Sequence, residues 1–388
     1  MSRTRRAGTA AVLAVFVMLW TPPLTARASN ATATGSHLPV YAYFYQWFEK
    51  GSWDRAKKDL PAVGKYSSDD PHVLRAQIQE ARSVGIDGFL TSWKSTGPLN
   101  RRLELLVQMA TDTHFDVSVV YEALDFQRNP LPIAKVSADL ELLVRRWGPS
   151  MHTAFGRPVI IWTGTNQYTH AQIASVHALL AGRAYLLAAS KSVAAYDQIS
   201  DVVDGEAYYW SSANPRSPST AAKLNDMSAA VHASGGLWIA PAAPGFDGST
   251  LGHTRVIDRN GGATFDRSLA IAAGSSPDAL GVISWNEWSE NTYIEAGRRY
   301  RGQELTTLRD YLVAHNGVNR TTLPTHSDQS SSAWTGLRAA AMLVLLTSIG
   351  VVVLVIVGRR PARSAGRRNV RRPRHVSQRH EASSGRTR

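Results

Sequence analysis

The sequence predicts an α/β protein of the (β/α)8, or TIM-barrel, type. Between residues 29 and 315, eight short apolar runs alternate with stretches that have a helical pattern. The runs are mostly continuous rather than alternating, which is typical of parallel strands that are buried on both faces. Eight strands, each followed by a helix, in about 290 residues match the element count of this barrel. The predicted strands span residues 38–47, 85–93, 116–123, 158–163, 184–190, 203–210, 237–245 and 279–288.

The helices between these strands are predicted from a cap and from the spacing of apolar residues. Asp70 followed by Pro71 is a typical helix start, and Leu74, Ile78 and Ala81 then fall on one face. An open, doubly wound sheet is the alternative architecture, but no Gly-rich phosphate turn follows the first strand. The other helical patterns cover residues 100–113, 140–147, 170–181, 191–201, 219–235, 264–275 and 305–312.

The first 28 residues have the features of a secretory signal peptide. Three arginines precede an apolar run over residues 7–20, and a small-x-small cleavage pattern ends at Ala28. An uncleaved membrane anchor is the alternative interpretation, although the apolar run is short for a membrane span.

The C-terminal part of the chain predicts a membrane anchor. Residues 339–357 contain 19 consecutive positions without a charge, within a predicted transmembrane helix over residues 339–358. A polar stalk, residues 316–338, precedes this helix, and a tail with eleven Arg and one Glu, residues 359–388, follows it. Because Arg and Lys accumulate on the cytoplasmic side, we expect a single-pass cell-membrane protein with a cytoplasmic tail and an extracytoplasmic barrel.

Most of the net charge of +13 comes from these two ends of the chain. The barrel region itself is about neutral, so we expect no nucleic-acid partner there, and the basic tail is best explained as a topology signal that contacts anionic lipid headgroups. The chain has no cysteine, which excludes thiol catalysis and thiolate metal sites.

Polar and aromatic residues follow several of the predicted strands. Active sites of these barrels lie at the C-terminal ends of the strands, and aromatic rings with carboxylates are what a carbohydrate site requires. Any one of these residues could instead serve packing or a structural ion pair. Glu287, however, follows directly on a buried strand, where burying a charge is unfavourable, so a functional role would explain its presence there. Glu290 comes one turn later. The strand-end residues are Tyr43, Tyr45, Trp47, Ser92, Trp93, Tyr121, Glu122, Trp162, Tyr208, Tyr209, Trp210 and residues 285–290.

Three segments carry a resemblance to a known family. "SWNEWSENTYIEAG", residues 284–297, resembles the NEW-x-E-x-x-x-I-E signature of glycoside hydrolase family 99, the endo-α-mannosidases and endo-α-1,2-mannanases. "GKYSSDDPHVLRAQIQEARSVGIDGFLTSW" and "APGFDGSTLGHTRVIDRNGGATFDRSLAIA" look like that family's segments after its first and seventh strands. The resemblance covers residues 38–315, the whole predicted barrel.

The resemblance implies specific roles for the two acids. Glu287 would be the base that takes the proton from the 2-hydroxyl of the sugar, which then closes onto C1 as a 1,2-anhydro sugar. Glu290 would protonate the leaving oxygen and later activate water, and it should therefore have a raised pKa. By the same resemblance and by position, the substrate-binding residues are Tyr45, Trp93, Glu122, Tyr209, Asn286, Trp288 and Glu295.

The sequence departs from the family pattern around the acids. Ser289 stands where a histidine is common, Asn291 stands where a glycine is common, and "VYEA" replaces "HIEP" on the third strand. We expect a hydrolase that cleaves internal α-mannosidic or similar linkages of a glycan with retention, with no metal and no organic cofactor. A hydrolase of another envelope or capsular polysaccharide, and a catalytically silent glycan-binding barrel, are the alternatives.

Overall fold

The computed structural model describes residues 37–125 and 127–315. The predicted signal peptide, stalk, transmembrane helix and basic tail lie outside these residues. Within the described part of the chain, no helix combines the length and the apolar character needed to cross a membrane.

Eight parallel strands close into a barrel, in the order β1–β10–β7–β6–β5–β4–β3–β2. This closure confirms the predicted (β/α)8 architecture and excludes the open sheet. The barrel strands are β1 (Val40–Tyr45), β2 (Gly88–Trp93), β3 (Asp116–Glu122), β4 (Val159–Thr163), β5 (Tyr185–Ala188), β6 (Gly205–Ala207), β7 (Leu237–Ala242) and β10 (Ala279–Val282).

A helix follows each barrel strand along the chain. They are α1 (Pro71–Ser83), α2 (Gly97–Thr113), α3 (Ile133–Arg146), α4 (His170–Leu180), α5 (Val193–Asp197), α6 (Pro218–Ala233), α7 (Ala263–Gly274) and α8 (Gln303–His315). The predicted start of α1 is confirmed, because the Asp70 carboxylate accepts the N–H of His72 and Pro71 is the first helical residue. The weak pattern over residues 191–201 forms only the five-residue α5.

The connection between β7 and α7 contains a small hairpin that the sequence did not predict. β8 (Phe246–Asp247) pairs antiparallel with β9 (Val256–Ile257), apart from the barrel. The predicted strand over residues 237–245 therefore ends at Ala242, and the hairpin starts a few residues later.

The barrel wall separates two apolar cores. One, inside the barrel, contains Tyr41, Tyr43, Leu90, Ile161 and Ile239, together with other inward-facing residues of the strands. The larger one lies between the strands and the surrounding helices, and it contains Phe44, Phe89, Trp93, Trp238 and Trp285. Because side chains alternate along a strand, seven of the eight barrel strands contribute apolar residues to both cores, which explains the continuous apolar runs of the sequence. The short strand β6 contributes Ala207 to the inner core and carries the buried Glu206 next to it.

Aspartates cap the N-terminal ends of the barrel strands in a repeated way. Each precedes one strand, accepts the backbone N–H of a residue at the start of the neighbouring strand and also contacts a histidine. The sets are Asp87 with Val40 N and His37, Asp204 with Leu186 N and His177, and Asp278 with Trp238 N and His232. This N-terminal rim is a structural device, since its carboxylates satisfy backbone donors that would otherwise lack partners.

Candidate active site

A short closed loop, residues 284–295, follows β10 at the C-terminal mouth of the barrel. The N–H of Ser284 donates to the carbonyl oxygen of Thr292, and the N–H of Ile294 donates back to the carbonyl oxygen of Ser284, both at 2.9 Å. These two bonds close the base of the loop, so Glu287 and Glu290 lie together in its middle. We call this segment the acid loop.

Glu287 is buried, with 7% of its surface exposed, and it is held from two directions. Its carboxylate Oε1 accepts the N–H of Ser289 at 2.9 Å, and its own N–H donates to Ser284 Oγ at 2.7 Å. Burial raises the pKa of Glu287 to about 7, the charge of Glu290 adds to this rise, and the Ser289 N–H opposes it. A carboxyl with this pKa can exchange a proton near neutral pH.

Glu290 is anchored by its backbone and leaves its carboxyl group available. The backbone oxygen of Glu290 accepts the N–H of Asp247, in the β8–β9 hairpin, at 2.8 Å. Its side-chain Oε2 is buried and has no hydrogen-bond partner among the described residues. Burial raises the pKa of Glu290, as predicted, although the Ser211 hydroxyl and the charge of His253 oppose the rise.

A pair of tyrosines lies beside the acids. The hydroxyl oxygens of Tyr45, at the end of β1, and Tyr209, after β6, are 2.7 Å apart. Burial raises the pKa of both phenols well above the usual value, and nearby carboxylates add to the rise: Glu287 acts on both, Glu122 on Tyr45 and Glu290 on Tyr209. The structure thus brings Tyr45, Tyr209, Glu287 and Glu290 together, with neutral phenols facing the two acids, and Glu122 lies close enough to Tyr45 to act on it.

Glu122, the last residue of β3, is held by hydroxyl groups from the strands on both sides. Ser92 Oγ on β2 donates to its Oε1 at 3.0 Å, and Thr163 Oγ1 on β4 donates to its Oε2 at 3.2 Å. Burial raises the pKa of Glu122, and the two hydroxyls partly offset that rise. Glu122 therefore reaches the mouth with a fixed orientation, as the prediction of a sugar-binding acid requires.

Asn286 was predicted to bind substrate, but its amide is used inside the protein. Its Oδ1 accepts the N–H of Tyr45 at 2.8 Å, and its Nδ2 donates to the carbonyl oxygen of Tyr45 at 2.9 Å and to the Tyr66 hydroxyl at 3.2 Å. Asn286 is fully buried. Asn286 therefore joins the acid loop to β1.

Trp288 and Glu295 also lie behind the acids rather than at the open mouth. The Trp288 ring stacks on Tyr293 with centroids 3.8 Å apart, and its indole N–H points at the Tyr66 hydroxyl oxygen. The Glu295 carboxylate accepts hydrogen bonds from the Tyr66 hydroxyl and the Gln77 amide, both at 2.8 Å. Burial raises the pKa of Glu295 to about 7. Trp288 and Glu295, which were predicted to bind substrate, thus lie within the core behind the acids and contact other protein groups there.

Trp93 faces away from the site. It is fully buried in the core between strands and helices, where its indole N–H donates to Asn100 Oδ1 at 2.9 Å and its ring packs against Tyr121 and Trp147. Strand alternation places its neighbour Ser92 at the mouth instead, so the structure does not bring Trp93, which was predicted to bind substrate, together with the acids.

The connection between β1 and α1 supplies residues that were not among the predicted substrate-binding residues, although Trp47 was among the strand-end aromatic residues. Trp47 is 41% exposed and packs on Tyr45 with ring centroids 4.4 Å apart, which gives the mouth an open aromatic surface. Lys57 lies close enough to Glu287 for the two charges to interact. Tyr66 joins Asn286 and Glu295, as described above, and it is the tyrosine of the "GKYSSDD" segment. That segment signalled Tyr66 in the sequence, although no role could be assigned to it there.

Two buried acids with raised pKa values, set among phenols and an exposed indole at a barrel mouth, are typical of glycoside hydrolases. The chain belongs to glycosyl hydrolase family 99, because a sequence model of that family matches residues 42–322. The resemblance found in the sequence is thereby confirmed, and the chain is a glycoside hydrolase by family. A comparison with curated proteins found no match.

Solved structures of the family share the fold. The endo-α-mannosidase from Bacteroides thetaiotaomicron in complex with BIS-TRIS propane is 18% identical, and the alignment covers 72% of this chain and 99% of that chain with a TM-score of 0.62. A second structure of that enzyme is 17% identical over 71% of this chain and 96% of that chain, with a TM-score of 0.63. A glycoside hydrolase-like protein is 14% identical over 71% of this chain and 94% of that chain, with a TM-score of 0.58. These low identities establish the fold alone.

Proposed function

We propose that the protein hydrolyses internal α-mannosidic, or similar, linkages of a glycan at the outer face of the cell membrane. The observation that carries this proposal is the acid loop: two buried carboxyls with raised pKa values, beside the Tyr45–Tyr209 pair, in a chain of family 99. The presence of both acids of the family signature also favours an enzyme over a glycan-binding barrel without catalytic activity.

In the first step of the proposed reaction, Glu287 takes the proton of the sugar 2-hydroxyl. The 2-oxygen then attacks C1 as the bond between C1 and the glycosidic oxygen breaks, and Glu290 donates its proton to that leaving oxygen. The product is a 1,2-anhydro sugar, and the charge has moved from Glu287 to Glu290. The pKa of about 7 at Glu287 and the raised pKa at Glu290 suit a base and an acid that work near neutral pH.

In the second step, Glu290 takes a proton from water and the water oxygen attacks C1. The bond between C1 and the 2-oxygen opens, and Glu287 returns its proton to that oxygen. Two displacements at C1 give net retention, and both acids regain their starting protonation. One phenol hydrogen of the Tyr45–Tyr209 pair is used within the pair, and the other would donate to a sugar oxygen near the acids, while Trp47 would offer a ring face for a further sugar.

Three departures from the family pattern favour a different sugar as a second candidate substrate. Ser289 and Asn291 lie within the acid loop, and Ala123 follows Glu122 in the "VYEA" segment. Smaller or differently shaped side chains beside the acids change the pocket without changing the chemistry. Another envelope or capsular polysaccharide would then be cleaved by the same two carboxyls.

The test measures products released over time from α-1,2- and α-1,3-linked mannan and from a panel of other polysaccharides. The parent protein is expected to release oligosaccharides, and Glu287→Gln is expected to bind the same glycan without releasing any. Release from another polysaccharide alone would favour the second substrate. Binding by a folded parent protein without release from any glycan would contradict an enzymatic role.

The membrane location is proposed from residues 339–358 and the arginines that follow them. The full chain is expected to stay with membranes after an alkaline wash, whereas a chain that ends at residue 338 should be released. Release of both forms would contradict the anchor.

A further inference from the structure

Arg259 lies between β9 and α7, directly under the acid loop, and its guanidinium group holds the loop backbone. The residue is 4% exposed. Its Nη2 donates to the carbonyl oxygen of Asn291 at 2.9 Å and to the carbonyl oxygen of Tyr293 at 2.7 Å. Both acceptors belong to the acid loop, and Asn291 is the residue next to Glu290.

The rest of the guanidinium group contacts two aromatic rings and one carboxylate. Its central carbon lies 4.6 Å from the ring centroid of Tyr293 and 4.3 Å from that of Tyr300, so the cation contacts two phenol rings. Nη1 is 3.3 Å from Glu304 Oε1 on α8, and both side chains are almost fully buried. A buried cation that is paired with a carboxylate suits a residue that sets a position rather than one that reacts.

The backbone next to Glu290 needs such support. Asn291 has a φ of 56°, in the left-handed region that glycine adopts more readily, and glycine is common at this position in the resemblance described above. The carbonyl oxygen of Asn291 is turned into the protein, where an unpaired acceptor would be unfavourable. Arg259 supplies the donor that satisfies it and so stabilises the turn that presents Glu290.

We propose that Arg259 is a positioning residue for the proton donor Glu290, acting through the backbone of Asn291 and Tyr293. This inference rests on the proposed function, because that function gives Glu290 the role of proton donor. The contacts of Arg259 with the acid loop do not depend on it. A displaced Glu290 would fail to protonate a sugar leaving group, whereas substrate binding would change little. Arg259 needs no contact with the substrate for this role.

The kinetic test compares two leaving groups in the full-length protein. Fluoride leaves with little help from an acid. The kcat/KM for a glycosyl fluoride of the cleaved sugar, which reports on the first displacement and not on the later activation of water, therefore does not depend on proton donation by Glu290. For Arg259→Met we expect kcat/KM on the oligosaccharide to fall by roughly 10- to 100-fold with KM changed by less than about threefold, and kcat/KM on the fluoride to fall by less than about threefold. Arg259→Lys, which keeps a donor, should recover part of the loss.

Arg267→Met is the matched control. Arg267 also donates to a backbone carbonyl, that of Pro215, at 2.9 Å, but it does not contact the acid loop. This variant is expected to match the parent on both substrates. Equal losses of kcat/KM on both substrates in a folded Arg259→Met protein would overturn the proposal, because a general structural defect does not distinguish the leaving groups.

Amide hydrogen exchange gives a readout that does not depend on activity. Arg259→Met should speed exchange across residues 287–294 and leave the barrel strands as in the parent, and Arg267→Met should not. Unchanged exchange in the acid loop would overturn the proposal even if activity fell. A parent protein that cleaves no glycan would count against the proposed function, while the exchange result would still decide whether Arg259 holds the loop.

Discussion

The two rims of the barrel use carboxylates in opposite ways. At the N-terminal rim, Asp87, Asp204 and Asp278 each accept a backbone N–H and contact a histidine, so their hydrogen-bonding capacity serves the fold. At the C-terminal rim, Glu290 keeps a buried oxygen without a partner among the described residues, and the pKa of Glu287 rises to about 7. Burial without full pairing is unfavourable for the fold, and among these described acids it distinguishes Glu290 at the C-terminal rim from the three aspartates at the N-terminal rim.

The largest expected effect comes from exchanging one acid at each rim for its amide. Glu290→Gln should lower kcat by about 10³-fold, because a general acid contributes 10²- to 10⁴-fold, and it should leave the unfolding midpoint unchanged or higher. Asp278→Asn should leave kcat unchanged, since it lies at the opposite end of the barrel. Turnover and urea unfolding of both variants give the comparison. A loss of turnover in Asp278→Asn that equals the loss in Glu290→Gln would contradict the division between the rims.

The N-terminal rim is tested by removing an acceptor rather than a charge. Asp278→Ala leaves the N–H of Trp238 without its partner at 2.7 Å, so the free energy of unfolding should fall by about 1–2 kcal/mol. Asp278→Asn keeps an acceptor oxygen and should lose less than half of that. Equal losses would mean that the contact with His232, rather than the backbone N–H, provides the stability.

Glu206 provides a buried acid that belongs to neither rim. Burial raises its pKa to about 8 in the folded chain. The folded state therefore keeps a proton that the unfolded state releases, and the stability that this proton contributes is complete at acidic pH and is lost as the pH rises through 8. Glu206→Gln keeps the acceptor for the Ser190 N–H. It should unfold like the parent near pH 4 and be more stable at pH 8.5 by on the order of 1 kcal/mol. A difference that does not change with pH would contradict this explanation.

The smallest expected effect concerns Lys57, whose charge favours the ionised form of Glu287. The pKa of Lys57 is lowered by burial, and Glu287 opposes that change, so each charge favours the other. In Lys57→Met the pKa of Glu287 should rise above about 7, and the acidic limb of kcat/KM against pH should move up by roughly 0.5 unit. Lys65→Met removes a charge from the same connection, where Lys65 pairs with exposed Asp54 at 3.5 Å, and should not move that limb. A shift towards lower pH in Lys57→Met would show that the two charges do not act as described.

The sequence by itself determined the barrel and the position of its acids. Eight apolar runs alternate with helical patterns, and these runs form the eight strands of the barrel. Asp70 and Pro71 start α1, because a cap and a proline influence only the backbone within a few residues. Glu287 and Glu290 were recognisable because a charge directly after a buried strand is rare and because the family signature surrounds it. These signals are local, so a linear chain carries them in full.

Only the tertiary structure decided which neighbours of the acids face the site. A continuous apolar strand does not reveal which face is inward, and Trp93 therefore turned out to pack against helices. Asn286 bonds the backbone of Tyr45, 241 residues away in sequence, and Glu295 bonds Tyr66, 229 residues away. Polar groups of these types suit a sugar as well as a protein partner. The closure of the barrel brings Tyr45 and Tyr66 within hydrogen-bond distance of Asn286 and Glu295. A polar side chain that has such a protein partner supports the site, whereas one without a partner is open to substrate.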